Sequence, residues 1–208
     1  MLSSRFVIVS ALLMLTVPPA AQAQQQPQQQ SQASRIRGTI DSVDGTTLAV
    51  TSRDGSHVTL RTPDNLQVSG IVKIALADIK PGAYIGVAAM PQADGSQKAL
   101  SVHLFPDAMR GTGEGFRPWD LRPNSTMTNA TVDQTVESND GHQLTLKYKG
   151  GEKTIIVTPE TPIVTYVPDD RSDLKAGAKI IAFVTRNEDG SFTAARISVG
   201  KDGLTPPM

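Results

Sequence analysis

The side chains best suited to hold a ligand lie in one short segment, residues 109–128, with the sequence MRGTGEGFRPWDLRPNSTMT. An indole offers a flat face for stacking, and guanidinium groups bind anions through paired hydrogen bonds. The segment combines both with an acidic residue, a pattern that suits a sugar ring, an anionic ligand or a partner peptide. The predicted ligand-binding or partner-binding residues are Arg110, Arg117, Trp119, Asp120 and Arg122.

A second interpretation of this segment needs no ligand. Large aromatic side chains are usually buried, so Trp119 would seal a groove between two domains while the arginines form salt bridges. The glycines Gly111, Gly113 and Gly115 do not have the spacing of a dinucleotide fingerprint, and no Lys-Ser/Thr pair follows them. Phosphate binding through a glycine-rich loop is therefore not predicted. The ligand platform and the structural plug both stay open.

No metal site or cofactor is predicted. The chain has no cysteine, and its three histidines form no HxH or HExxH pattern. Three methionines, Met90, Met109 and Met127, would make a soft copper site if the fold brought them to a histidine. A periplasmic copper-handling protein is thus an alternative function.

Catalytic motifs are equally scarce. Residues 172–175, Ser-Asp-Leu-Lys, match the S-x-x-K pattern of penicillin-recognising enzymes, but the companion motifs are poor and in the wrong order. No G-x-S-x-G sequence occurs. We expect a protein that is not an enzyme. The balance of 20 Lys and Arg against 20 Asp and Glu, without a basic stripe, also argues against nucleic acid as a partner.

The N-terminus has the pattern of a secretory signal peptide. Arg5 precedes an apolar run, and the small-residue sequence Ala21-Gln22-Ala23 resembles a cleavage site, so cleavage is expected after Ala23. The apolar run is shorter than the roughly 20 residues that span a bilayer, and a glutamine-rich tract, residues 24–34, follows it as a disordered tether. The sequence predicts a periplasmic or secreted protein with no membrane span in the mature chain.

The rest of the chain contains an internal repeat. Residues 38–50, GTIDSVDGTTLAV, align with residues 134–146, QTVESNDGHQLTL. Further on, residues 78–85, DIKPGAYI, align with residues 173–180, DLKAGAKI. Two separated blocks that match in the same order indicate a duplicated domain.

Each copy reads as short strands joined by tight turns. Apolar residues alternate, as at Leu48 and Val50, and pairs such as Asp44-Gly45 supply the positive φ that two-residue hairpins need. Three strands come first and two last, separated in the first copy by the less periodic stretch Gln67 to Lys80. Within this stretch, residues 75–80, Ala-Leu-Ala-Asp-Ile-Lys, end at Pro81-Gly82, and we expect them to form a short helical insertion of a turn or two. This is the element order of the oligonucleotide/oligosaccharide-binding (OB) barrel. Copies of about 70 residues would have marginal cores, so we expect the two barrels to pack together.

The first copy carries a resemblance to a known family. Residues 36–50, IRGTIDSVDGTTLAV, followed by residues 77–82, ADIKPG, resemble a small-barrel domain family common in exported bacterial proteins and of unknown function. The second copy resembles it more weakly, with Gln134 in place of Gly38 and Ala176 in place of Pro81. The resemblance implies a barrel and an envelope location, and no reaction.

Together these observations predict an all-β fold of two tandem five-stranded OB-like barrels, each with a short helical insertion, after a signal peptide. The predicted function is binding of a small ligand, a glycan or an envelope protein through the linker and the cleft between the barrels. A purely structural assembly module is a further alternative. The predicted segments are the signal peptide 1–23, the tether 24–34, barrel copies 35–106 and 129–201, the linker 107–128 and a tail 202–208.

Overall fold

A computed structural model of the protein describes residues 34–138 and 141–207. The predicted signal peptide and the tether up to residue 33 lie outside the described residues. The described chain is all-β, in the order β1 Ser34–Asp44, β2 Thr47–Ser52, β3 His57–Arg61, β4 Gln67–Lys73, β5 Tyr84–Pro91, β6 Gln97–Leu104, β7 Gly115–Pro118, β8 Thr126–Ser138, β9 Gly141–Tyr148, β10 Gly151–Val157, β11 Ile163–Pro168, β12 Lys179–Arg186 and β13 Phe192–Gly200.

Tight turns join neighbouring strands where the sequence predicts them. Gly45, between β1 and β2, has φ +55°, and Gly190, between β12 and β13, has φ +83°. Side chains rarely adopt such angles, so glycine is the residue that these turns require. The predicted hairpin turns at these two positions are confirmed.

The strand pairings close a ring of five strands from both halves of the chain. β1, β2 and β3 form an antiparallel meander, β1 pairs with β12, β12 with β13, and β13 returns to β3 in parallel. We call this the first ring. Its core contains Ile40, Leu48, Leu60 and Ile197, all fully buried.

The remaining long strands close a second ring in the same way. β8, β9 and β10 form a meander, β8 pairs with β5, β5 with β6, and β6 returns to β10 in parallel. Its core contains Ile85, Val102, Leu144 and Ile155. Each ring therefore takes a meander from one half of the chain and a hairpin from the other.

This arrangement differs from the tandem barrels expected from the sequence, in which each barrel would use the strands of one copy. The two hairpins, β5–β6 and β12–β13, have the same alternating pattern and the same turn chemistry, so the sequence did not distinguish which meander each hairpin completes. The contacts between residues also do not separate the chain into two units near residue 106, because Ser31–Met208 forms one compact unit.

The helical insertion expected at residues 75–80 is reduced to one short turn. Leu76–Asp78 forms a single 3-10 turn there, and Arg171–Asp173 forms one at the equivalent place in the second half. Residues 67–73, which precede it, form strand β4, which pairs in parallel with β13 and antiparallel with β11. β-Branched residues such as Val68, Ile71 and Val72 favour a strand, and Pro81 prevents the turn from lengthening into a helix.

β4 and β11 form a central pair that connects the two rings, since β4 also pairs with β13 and β11 with β6. A third apolar cluster, here the junction cluster, lies at this connection. Its buried members are Ile71, Ala88, Met127, Val164 and Ile181, and Leu100, Trp119, Leu121, Tyr166, Phe183 and Leu204 pack against it. Within residues 34–138 and 141–207, no helix is long and apolar enough to cross a membrane.

The exchange of hairpins predicts that neither half of the chain folds alone. A fragment of residues 34–106 contains the meander of the first ring, β1 to β3, but the hairpin of the second ring, β5 and β6. Its strand β4 is left without either of its partner strands, β11 and β13. We expect this fragment and the fragment 107–207 each to show little cooperative unfolding by circular dichroism. An equimolar mixture should regain strand signal and elute as a 1:1 complex in gel filtration. A fragment 34–106 that is monomeric and unfolds cooperatively would contradict the exchange.

Candidate ligand-binding cleft

The segment between β6 and β8 is held in place by backbone contacts and by one buried serine. β7 runs antiparallel to β8 and brings Arg117 and Pro118 alongside it. After β7, the backbone N–H of Trp119 donates to the Ser125 carbonyl oxygen at 2.8 Å, and Ser125 Oγ accepts from the backbone N–H of Arg122 at 3.0 Å. Ser125 is only 2% exposed. The loop therefore presents Trp119 in a fixed position.

Trp119 lies half-buried against the junction cluster and keeps an accessible face. The guanidinium carbon of Arg35 lies 3.7 Å from the centroid of the indole, and that of Arg117 lies 5.6 Å from it. Both distances are those of cation–π contacts. The structure thus combines the two interpretations of Trp119, because the side chain packs at the connection between the rings and also lines an open cleft.

Asp120 joins this loop to β1. Its carboxylate accepts from Arg35 Nη1 at 2.9 Å and from Arg37 Nη2 at 2.7 Å. Partial burial raises the pKa of Asp120, but the hydrogen bonds and charges of Arg37 and Arg35 outweigh that effect and hold the pKa below its usual value. The charged carboxylate keeps the Arg35 guanidinium stacked on Trp119.

A cleft of about 190 Å³ opens beside Trp119. Its walls come from both halves of the chain and from the loop between them. They carry three guanidinium groups, four aromatic rings and two methionines, and no carboxylate. The lining residues are Arg35, Gly86, Phe105, Met109, Thr112, Gly113, Arg117, Trp119, Met127, Asn129, Tyr166, Phe183 and Arg196.

Three of these lining residues have buried polar atoms without a hydrogen-bond partner among the described residues. They are Nε of Arg35, Nε1 of Trp119 and Oδ1 of Asn129. Asn129 is 5% exposed, and its Nδ2 donates to the Thr112 carbonyl at 2.8 Å, which fixes the orientation of the amide. Its Oδ1 lies over Gly86, where an added Cβ would approach it to 2.8 Å. Because buried polar groups are normally paired, three unpaired polar atoms in the wall of one cleft are an unusual feature of the described structure.

Arg196 of β13 contributes positive charge from the opposite half of the chain. Its guanidinium carbon lies 4.1 Å from the centroid of Phe183, and no carboxylate among the described residues pairs with it. Arg35 is paired with Asp120, and Arg117 Nη1 donates to the Gly113 carbonyl at 2.6 Å. Arg196 is therefore the guanidinium of the cleft with the most hydrogen-bonding capacity left for a ligand.

The structure brings only part of the predicted site together. Arg117 and Trp119 line the cleft, and Asp120 supports it through Arg35. Arg110 is exposed and donates through Nη2 to the Gly82 carbonyl at 3.0 Å, and Arg122 is also exposed. Neither of these two lines the cleft.

Sequence reasoning missed the residues that the strands contribute to the cleft. Arg35 and Arg196 each appear as an isolated charge in an alternating strand, and Phe105, Tyr166 and Phe183 appear as ordinary apolar positions. They meet only because β1, β11, β12 and β13 come together at the connection between the rings. No local spacing in the sequence signals this meeting.

The methionines named for the copper alternative divide between two places. Met109 and Met127 both line the cleft, whereas Met90 does not. Among the described residues, no group of three or more His, Cys, Asp or Glu side chains has a geometry suited to a metal ion. The three guanidinium groups around the two methionines repel a cation.

A buried histidine lies behind the cleft. His103 of β6 is fully buried opposite Gly86, and its ring centroid lies 5.9 Å from that of Tyr166. Neither ring nitrogen has a partner among the described residues. Desolvation lowers the pKa of His103 to about 3, so the ring is neutral at physiological pH. Burial also raises the pKa of Tyr166 to about 12, which keeps the phenol neutral.

The buried His103 predicts loss of stability in acid. In the unfolded chain the imidazole has a pKa of about 6.5, so below that pH the unfolded state binds a proton that the folded state does not. Between pH 7 and pH 4.5, the free energy of unfolding measured in urea should fall about 2–3 kcal/mol further for the natural chain than for His103→Leu. His57→Gln, at a side chain that is 82% exposed, should follow the natural chain. Equal pH dependence in His103→Leu and the natural chain would show that His103 is solvated.

Comparison with known protein families gives a match to a segment in the second half of the chain. Residues 135–198, from the end of β8 to β13, match the family described as Domain of unknown function (DUF5666). No curated protein and no solved structure matches the chain. The match lies in the second of the two segments that the sequence analysis aligned, whereas the resemblance seen in the sequence is strongest in the first. By this match, residues 135–198 are similar to a family whose function is not known.

Proposed function

We propose that the protein is an exported binding protein without catalytic activity, and that the cleft beside Trp119 holds a small ligand. The observation that carries this proposal is the concentration of unpaired buried polar atoms in the wall of one open cleft, on Arg35, Trp119 and Asn129. Leaving such atoms unpaired costs stability, and the cost is recovered when a ligand pairs with them.

The chemistry of the lining supports binding rather than catalysis. Arginine and aromatic side chains dominate the walls, which contain no serine, histidine or carboxylate. Hydroxyl groups are present on Thr112 and Tyr166, but a hydroxyl nucleophile needs a base beside it, and no lining residue supplies one. His103 lies behind the wall, and its low pKa makes it a weak base.

The strand order supports a duplicated OB-type architecture. In each ring, the last strand of the hairpin pairs in parallel with the third strand of the meander, and the first strand of the hairpin pairs with the first strand of the meander. The same strand order closes the five-stranded OB fold. We infer that two OB-like copies have exchanged their terminal hairpins. The cleft then lies where the copies join, a common place for ligands to bind.

Export is the second part of the proposal, and it is supported by the signal-peptide pattern of residues 1–23. When the full chain is expressed in a Gram-negative host, the protein should appear in the periplasmic fraction with an intact mass that begins at Gln24. A matched variant with Ala21→Arg and Ala23→Arg, which removes the small residues before the cleavage site, should accumulate with residues 1–23 attached. An unprocessed natural chain in the cytoplasm would contradict export.

Ligand binding at the cleft is tested through the single tryptophan. The mature protein is titrated with a library of small organic compounds that includes acids, amines and neutral molecules, together with copper(II) and zinc(II) salts, while the emission of Trp119 is recorded. We expect at least one organic compound to change the emission in a saturable way. Arg117→Ala should weaken that binding about tenfold, as expected when one charge-assisted hydrogen bond is lost.

The control uses the same residue type in the same loop. Arg122→Ala, outside the cleft, should bind as the natural chain does. Saturation by copper(II) alone would favour the metal-handling alternative. An emission that no compound changes would favour a structural assembly module, with Trp119 serving only to pack the two rings together.

A further inference from the structure

The charge around the cleft is one-sided. Arg35, Arg117 and Arg196 line it, and Arg37 lies next to Arg35 and also contacts Asp120. In the described part of the chain, Asp120 is the only carboxylate that forms an ion pair with one of the three lining guanidinium groups. Partial burial, and after it repulsion from the nearby Arg35 charge, lower the pKa of Arg117. An anionic ligand would relieve this repulsion.

The shape of the guanidinium group narrows the class of anion. Its planar fork matches the two oxygens of a carboxylate and forms two parallel hydrogen bonds with it. The unpaired N–H donors of Arg35 and Trp119 add further bonds to anionic or carbonyl oxygens. The cleft therefore presents several donors to one bound anion.

The rest of the lining is flat and apolar. Trp119, Phe183, Tyr166 and Phe105 contribute ring faces or edges, and the rings of Phe105 and Tyr166 are stacked with centroids 5.6 Å apart. Aromatic rings pack well against such surfaces in offset or edge-to-face arrangements. At about 190 Å³, the cleft is smaller than the roughly 300–1,000 Å³ pockets that hold drug-sized ligands, so a single ring with a short acidic chain fits it best.

We infer that the ligand is an aromatic carboxylate, either a free acid or the C-terminal residue of a peptide, with its carboxylate on Arg196 and Arg117 and its ring against Trp119 and Phe183. This inference rests on the proposed function of the cleft as a binding site. Oδ1 of Asn129 is an acceptor and would take an N–H of the ligand. A peptide end supplies such an N–H in its last amide group, whereas a simple aromatic acid does not.

The experiment compares compounds that differ only in charge. Mature protein is titrated with 3-phenylpropanoate, 3-phenylpropanamide and 3-phenylpropylamine, and binding is measured by calorimetry and by Trp119 emission. The carboxylate should bind at least tenfold more tightly than the amide, since a hydrogen bond to a charged group contributes about 1.5–3 kcal/mol. The amine should not bind, and added salt should weaken binding of the carboxylate.

A second comparison separates the two sources of the carboxylate. N-acetyl-L-phenylalanine has the same ring and carboxylate with an added amide N–H, and it resembles the end of a peptide. Tighter binding of this compound than of 3-phenylpropanoate identifies a peptide terminus as the ligand. The reverse order identifies a free aromatic acid.

Matched variants connect the result to the cleft. Arg196→Gln should lower the affinity for the better carboxylate at least tenfold, and Arg186→Gln, at an exposed arginine of β12, should leave it within twofold of the natural chain. Circular dichroism and the melting temperature show whether both variants fold.

The outcomes separate this inference from the proposed function. If the amide binds as tightly as the carboxylate, or if Arg196→Gln binds normally, the inference is overturned while the cleft remains a binding site. If the carboxylates fail but another compound of the library changes Trp119 emission, the ligand belongs to a different class. If no compound changes the emission, both the inference and the proposed function fail.

Discussion

The fold depends on the exchange of two β-hairpins between the halves of the chain. The hairpin β5–β6 completes the ring of the second meander, and β12–β13 completes the ring of the first. Neither ring can lose its hairpin without exposing a buried core and two strand edges. The central pair, β4 and β11, adds a direct contact between the halves, and Ile71 and Val164 are fully buried there. Stability is therefore shared along the whole chain from Ser34 to Pro207.

The same exchange creates the cleft. Because β1, β12 and β13 belong to the first ring and β5, β6 and β8 to the second, residues from distant parts of the sequence meet where the rings adjoin. The loop between β6 and β8 crosses this place and inserts Trp119 among them. Asp120 holds Arg35 on one face of the indole, so one ion pair on the surface orients the side chain that forms the wall. The contribution of such a partly exposed pair to overall stability is small, about 1 kcal/mol or less, and its effect is mainly positional.

The sequence predicted the local structure well and the long-range structure less well. Alternating apolar residues and the Asp-Gly pairs predict the strands and turns, because these features depend on neighbouring residues alone. The partner of each hairpin depends on a choice between two meanders of similar pattern, and local chemistry does not encode that choice. For the same reason Trp119 and Arg117 could be chosen from the sequence, since they lie in an unusual segment, whereas Arg35 and Arg196 could not. Arg110 and Arg122 share that segment but lie outside the cleft, because residue type alone does not fix the direction of a side chain.

Unpaired polar atoms occur both in the cleft and elsewhere in the described interior. Ser101, Thr128, His103 and His142 also have buried side-chain oxygen or nitrogen atoms without a partner, but none of these side chains lines the cleft. In the cleft the unpaired atoms belong to an arginine, a tryptophan and an amide, and they lie together at an opening. An apolar residue at each of these positions would avoid the cost of desolvating them. Natural proteins depart from such packing rules mainly at functional sites, and the proposed binding function of the cleft rests on the clustered departure at Arg35, Trp119 and Asn129.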